Sequence, residues 1–425
     1  MAEHLESGAH AEPSKSAADT TRRPGLRNVF DAFSHRQYRR LWIGTVLLAL
    51  ANWAERLAIG AFVLDQTGSA LLAAATFAVR NAPGLIAAPI AGAIADRVPR
   101  PMLLLITALF KAGVMVMLGL TAIGGISSPW PILGLLVFSG IAHSFEVPST
   151  QALITDVVPP RNAMNAISLQ STGARAVGAL GALASGVVSE SLGVPSALFG
   201  AAVFAAIGGL VVVTVVAPKP TPVDVPVSVF KDAVSGLRML VGMPVVGTLL
   251  WMAIIVEIFG FAYSAVLPAI ARNALDVGEA GLGLLTAMGG LGALIGVAAL
   301  TALGDFKRKG PLLLAITLAY GAALILFSAS PSFGMALILI VGVGAMAASF
   351  DAMQWILLQS NVPAHMRGRA IGGWVFAIGF GWIGHLALGA LTDLLGVRWA
   401  VGGAGLLVAL VALMAYLISP RLRRI

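Results

Sequence analysis

The sequence predicts an all-α membrane protein, with twelve transmembrane helices in two six-helix bundles related by a pseudo-two-fold repeat. Three observations predict it. Only 11% of the 425 residues are charged and 58% are hydrophobic, against about 25% charged in soluble domains. The apolar residues gather into twelve runs, each near the roughly 20 residues that a bilayer crossing needs. Polar motifs in the loops recur roughly 200 residues apart.

Residues 1–24 are polar and rich in Ala, Ser, Glu and Thr. Without an apolar run they make no cleavable signal peptide, and a disordered cytoplasmic tail is expected. Leu26, Val29, Phe30 and Phe33 then fall at helical spacing, followed by His35, Arg36, Arg39 and Arg40. That pattern reads as a short interfacial helix feeding the first span. Spans are expected at 41–63, 70–95, 102–123, 131–154, 165–188, 195–217, 245–270, 281–303, 311–327, 333–358, 370–391 and 400–418. Residues 25–217 form the N-terminal bundle and residues 245–420 the C-terminal one. The cytoplasmic linker between them, 218–244, holds the longest polar connection, Lys219 to Arg238.

With both termini in the cytoplasm, 21 of the 27 basic residues fall on inner segments and only Arg272 and Arg398 on outer loops. The cytoplasmic bias of Lys and Arg favours that topology. The net charge of +8 is therefore loop charge and not a nucleic-acid footprint. The 49 glycines suit membrane helices that approach closely. The absence of cysteine excludes disulfides, thiolate metal sites and cysteine catalysis.

The halves repeat. Val158-Pro159-Pro160-Arg161 through Ile167 aligns with Val362-Pro363-Ala364-His365 through Ile371, and Ser144-Phe145-Glu146 aligns with Ser349-Phe350-Asp351 after a one-residue slip. Each piece lies where the fourth or tenth span passes into the next. Two bundles of like orientation are a parallel-repeat transporter plan, with the substrate site between halves at mid-membrane. The loop between spans two and three reads Gly92-Ala-Ile-Ala-Asp96-Arg97-Val-Pro-Arg100-Pro, with an echo at Gly304-Asp305-Phe-Lys307-Arg308-Lys309-Gly-Pro.

On these residues the chain resembles the major facilitator superfamily from about residue 25 to about residue 420. Phe33-Ser-His-Arg-Gln-Tyr-Arg-Arg-Leu-Trp42, Gln66-Thr-Gly-Ser69 and Arg367-Gly-Arg369 look like its branch of bacterial siderophore, macrolide and drug exporters. The resemblance implies a cytoplasmic gate made by Gly92, Asp96, Arg97 and Arg100, with Asp305 and Arg308 as the counterpart. It also implies a central cavity lined by spans one, four, seven and ten.

Charges inside spans cost about 2.5–3.5 kcal/mol at the bilayer centre and default to a functional role. This chain keeps Glu55, Arg56, Arg80, Lys111, Glu146, Arg175, Glu257 and Asp351. Each cavity-lining span carries one acid: Glu55, Glu146, Glu257 and Asp351 are the proton-coupling candidates. Helix depth makes Glu55–Arg80 and Glu146–Arg175 feasible ion pairs, which as structural locks would carry no proton. A nearby cation holds a carboxylate ionised, so the least paired acid is the better proton carrier. Glu257 is preferred, with Glu146 second. Arg56, Arg80, Arg175, His143 and Trp355 are the substrate-cavity candidates.

No phosphate loop, metal-ligand cluster or nucleophile constellation occurs, so neither ATP drive nor catalysis is supported and no cofactor is expected. The expected function is secondary active transport of a small amphipathic or aromatic compound across the cytoplasmic membrane by alternating access, as proton-coupled efflux. Proton-coupled uptake of an organic anion and lysolipid translocation are the alternatives. The expected partners are a small-molecule substrate, protons and the lipid bilayer, with the chain working as a monomer.

Overall fold

The computed structural model describes residues 31–84, 87, 91, 94, 97–125, 128–218, 238–304, 306–363 and 366–425. The tail at 1–24 lies outside the described residues, as do 219–237 of the linker and Gly92, Asp96 and Asp305 of the loop motifs.

Among the described residues, helix stands at each of the twelve apolar runs. The first half holds α1 (Arg36–Thr67), α2 (Ala70–Asn81), α3 (Arg100–Ile123), α4 (Trp130–Val157), α5 (Pro160–Leu192) and α6 (Val194–Val213). The second half holds α7 (Pro244–Ala265), α8 (Glu279–Leu303), α9 (Lys309–Ser328), α10 (Phe333–Ser360), α11 in two segments (Arg367–Ile378 and Gly381–Leu395) and α12 (Val397–Ile418). Ten of them, among the described residues, are long and apolar enough to cross a bilayer. The second expected span is helical again at Gly84, Ala87, Ala91 and Ile94 beyond α2. α5 has the length but carries Arg, Gln, Ser and Glu along it.

Local chemistry sets the boundaries. Proline stands in the first turn of α3, α4, α5, α6 and α7, where its missing N–H costs no helical bond. Ser69 starts α2 by accepting from Leu72 N at 3.2 Å, and Gly68 ends α1 with a φ of 67°. Gly193 and Gly396 turn α5 into α6 and α11 into α12 with φ of 83° and 84°, a conformation that a Cβ disfavours.

Leu26, Val29 and Phe30 of the expected interfacial helix lie outside the described residues. Asp31–Ser34 is a 3-10 turn, and Arg36, Arg39 and Arg40 already belong to α1. Aromatic packing folds the turn back, with the Phe33 ring 5.5 Å from Tyr38 and 5.2 Å from Trp42. Tyr38 donates to Ala166 O at 2.8 Å and ties α1 to α5.

In the first half α1 packs on α5 and α6, and α3 packs on α4 and α6. In the second α10 packs on α8 and α9, and α12 on α9. Among the described residues, the most extensive interfaces between the halves are α5 against α8 and α2 against α11. Glycine makes both close. A Cβ on Gly283 would stand 2.9 Å from Ala182 O, and one on Gly389 would stand 2.9 Å from Leu71 Cα. Two spans lose regularity. α7 leaves α-helical geometry after Phe259 and continues as a 3-10 turn, Phe261–Ala265. α11 breaks at Gly379 and Phe380.

Candidate functional site

The polar contacts that join the halves among the described residues gather at one end of the molecule. Asp393, near the end of α11, accepts from Ala70 N at 2.7 Å, Leu71 N at 3.1 Å and Ser69 Oγ at 2.7 Å. Glu190, near the end of α5, accepts from Ala280 N at 2.8 Å. Arg272 pairs with Asp65 at 3.2 Å. A carboxylate at a helix N-terminus meets the positive end of the helix dipole and its unpaired N–H groups. The two contacts are one device used twice: α11 caps α2, and α5 caps α8.

Beyond this seam, between the halves, lies a cavity of about 360 Å³. That is near the lower end of ligand-site volumes. Aromatic rings of Trp53, Phe77, Phe261 and Tyr263 line it. Four charged groups also line it: Arg56, Arg175, Glu257 and Asp351. The Arg56 guanidinium sits 4.5 Å from the Phe77 ring centroid and 5.3 Å from that of Trp53, within cation–π range. Arg175, in mid-α5, is exposed.

Glu257 and Asp351 are half-buried, and neither makes a hydrogen bond or ion pair among the described residues. Glu257 lies against Gly381, just past the break in α11, where a Cβ would stand 2.7 Å from Oε1. The 3-10 turn of α7 places Tyr263 and Ser264 in the same wall. Non-helical backbone at membrane depth is tolerated where it lines such a space. His385 of α11 is buried in the wall, its ring 6.0 Å from that of Phe77.

The first half's charges are arranged differently. Glu55 is fully buried, pairs with Arg80 Nη1 at 2.8 Å and accepts from Ser139 Oγ at 2.9 Å. Glu146 pairs with Lys111 Nζ at 2.7 Å and accepts from Asn52 Nδ2 at 3.2 Å. The Asn52 carbonyl receives Arg80 at 3.1 Å and also Lys111, which joins the two pairs into one network. His143 Nδ1 lies 3.5 Å from Glu146. The partner of Glu146 is thus Lys111, and the expected Glu146–Arg175 pair does not form. α4 packs on α3, which carries Lys111, and meets α5 only slightly.

Of the five substrate-cavity candidates, Arg56 and Arg175 line the cavity. Arg80 is held by Glu55, His143 sits beside Glu146, and Trp355 packs edge-on against Trp374 at 5.2 Å. Of the four acids, Glu257 and Asp351 reach the cavity. In the loop motifs, Arg97 and Arg308 are exposed. Arg100 pairs with Asp156 at the end of α4, within its own half. Gly92, Asp96 and Asp305 fall outside the described residues. Phe77, Asn81, Tyr263 and Thr286 line the cavity without a sequence signal, because nothing local distinguishes them from packing residues.

A family model described as Major Facilitator Superfamily matches residues 41–383. The chain is 24% identical over 395 residues to the enterobactin exporter EntS of Shigella boydii serotype 4, covering 92% of this chain and 94% of that protein. It is 30% identical over 211 residues to EntS of Shigella flexneri, and there it spans 49% of this chain and about half, 48%, of that relative. The solved bacterial homolog of the human lysosomal transporter Spinster, inward-facing and unoccupied, superposes with a TM-score of 0.71 at 15% identity, covering 91% of this chain and 98% of that one. The nucleoside transporter NupG gives 0.68 at 15% identity, covering 90% and 99%. At such identities the likeness is one of fold.

Proposed function

The chain belongs to the Major Facilitator Superfamily, and on that premise we propose a secondary active transporter that exports a small amphipathic or aromatic compound in exchange for protons. The observation that carries this reading is the asymmetry of charge. The acids of the first half are held by Arg80 and Lys111. Those of the second half, Glu257 and Asp351, stand in an aromatic-walled cavity with no ion-pair partner among the described residues. A carboxylate that shares a cavity with arginines but is not locked in an ion pair, and that water reaches from one side at a time, is suited to load and release a proton. Glu257 is the carrier in this reading and Asp351 its neighbour. Trp53, Phe77 and Tyr263 supply ring faces for an apolar or aromatic substrate, and Arg56 and Arg175 orient its polar end.

With both termini cytoplasmic, the Glu190–Asp393 seam faces outward and the cavity opens to the cytoplasm. The opposite gate then forms from the loop motifs, Asp96, Arg97 and Arg100 with Asp305 and Arg308, when the inner side shuts. Arg100 exchanges Asp156 for a partner across the halves in that step. The naming of the curated relatives as enterobactin exporters supports efflux as the direction.

The test is transport by the purified chain in liposomes under an imposed pH gradient, against dyes, antibiotics, siderophores and organic anions. Export of an amphipathic or aromatic compound that collapses with the gradient supports the reading. Equal rates with and without the gradient overturn proton coupling. A second reading, uptake of an organic anion, is favoured by the two arginines in the cavity wall. Selective anion accumulation driven by the same gradient would establish it instead.

A further inference from the structure

On the bilayer-facing side of the second half a groove of about 840 Å³ runs between α9 and α12. Its walls are apolar, with Leu314 and Leu318 on α9 and Leu410 and Leu413 on α12. One end is basic: Arg423 and Arg424 stand there. The Arg423 guanidinium lies 4.7 Å from the centroid of the Tyr416 ring, held against the exposed face of α12. None of these residues lines the transport cavity.

A fold-back of the chain makes the basic end. After α12 a 3-10 turn, Leu422–Arg424, buries Leu422 completely. Gly310 N, in the first turn of α9, then donates to Ile425 O at 2.7 Å. Gly310 permits the approach, because a Cβ there would collide with the Leu422 carbonyl. The two arginines are therefore placed by a defined contact.

We propose that this groove binds one anionic phospholipid, its acyl chain laid between α9 and α12 and its phosphate at Arg423 and Arg424. The dimension fits. From Ala409, in the groove wall, to the end of α12 at Ile418, nine residues rise about 14 Å, close to half of the roughly 30 Å hydrocarbon core. The groove thus spans one leaflet, with its cations where headgroups begin. The charge fits as well. Basic pockets between membrane helices take anionic headgroups, whereas a zwitterionic headgroup brings a cation that the arginines repel. Tyr416 sits at the level where tyrosines border the headgroups.

The test is native mass spectrometry of the detergent-purified full chain titrated with phosphatidylglycerol, phosphatidylcholine or inorganic phosphate. One phosphatidylglycerol is expected to remain bound at least tenfold more tightly than phosphatidylcholine, with no phosphate adduct. Arg423→Gln with Arg424→Gln brings phosphatidylglycerol to the phosphatidylcholine level. Leu413→Trp, which keeps both arginines and fills the groove, removes the bound lipid. Equal retention of the two lipids by the unaltered chain, tight binding of phosphate alone, or a preference that survives in the double variant each overturns the proposal.

Discussion

Glu190 and Asp393 hold the same place in the two halves. Each lies three residues before a glycine of positive φ, Gly193 or Gly396. Each accepts from a first-turn backbone N–H of a helix in the other half, Ala280 N at 2.8 Å and Ala70 N at 2.7 Å. The molecule is closed at that end by two equivalent carboxylate caps.

Such caps are strong enough to hold a state and weak enough to release it. A charge at a helix N-terminus contributes about 0.3–1 kcal/mol when exposed, and a charged hydrogen bond contributes about 1.5–3 kcal/mol against about 0.5–1.5 for a neutral one. Glu190→Gln with Asp393→Asn is expected to raise the population open at this end about tenfold, equivalent to about 1.4 kcal/mol. The chain has no cysteine, so spin labels at Gln66→Cys and Leu394→Cys report the seam directly by pulsed electron resonance. An unchanged distance distribution in the double variant would remove the caps from the gate.

The cap pair was written in the sequence, in a form that hydropathy does not weigh. Ser189-Glu190-Ser-Leu-Gly193-Val matches Thr392-Asp393-Leu-Leu-Gly396-Val. Neither residue stands out inside an apolar run, because the donors they meet are backbone N–H groups 90 and 323 residues away.

Glu257→Gln is expected to abolish proton-coupled transport while substrate binding stays within a few-fold of the unaltered chain. Counterflow and equilibrium binding, compared with gradient-driven flux, separate the two. A variant that still follows the pH gradient would transfer the proton to another group, of which Asp351 is the nearest candidate in the same cavity.

Glu146→Gln is expected to act chiefly on stability. It leaves Lys111, 2% exposed, as an uncompensated buried charge, and breaking a buried pair costs about 3–5 kcal/mol. Replacing both with Met is expected to recover most of that loss. Thermal unfolding in detergent measures both. Full stability of the single variant, with loss of transport alone, would instead make Glu146 a working acid.

Arg56→Ala is expected to weaken binding of an anionic substrate about tenfold or more and to leave a neutral one nearly unchanged. The guanidinium faces the cavity on a bed of Phe77 and Trp53. Arg56→Lys keeps the charge but not the planar stacking group, so a partial loss there apportions charge against stacking. Equal loss for both substrate types would mean that the arginine shapes the wall.

The span boundaries were legible because twenty apolar residues have one economical use. The expected run 333–358 is observed as Phe333–Ser360, and 281–303 as Glu279–Leu303. The buried acids were legible for the same reason, as exceptions inside such runs. Their partners were less so. Glu55 and Arg80 were paired correctly by depth, whereas Glu146 went to Lys111 because helix neighbours, and not depth alone, decide which cation arrives. The cavity's rings were the least legible, since Phe77 or Tyr263 in an apolar run looks like any packing residue.

The broken α11 ties together two places that have so far stood apart. Gly381 touches the Glu257 carboxylate, and Asp393 closes the seam on the same straight segment, Gly381–Leu395, about 18 Å away along its axis. In the proposed proton cycle that segment acts as a rod hinged at Gly379 and Phe380, with the Glu257 carboxylate at its near end and a latch at its far tip. Under that proposal, gain or loss of one proton has a mechanical route from the cavity to the capped end of the molecule, through a single rigid piece.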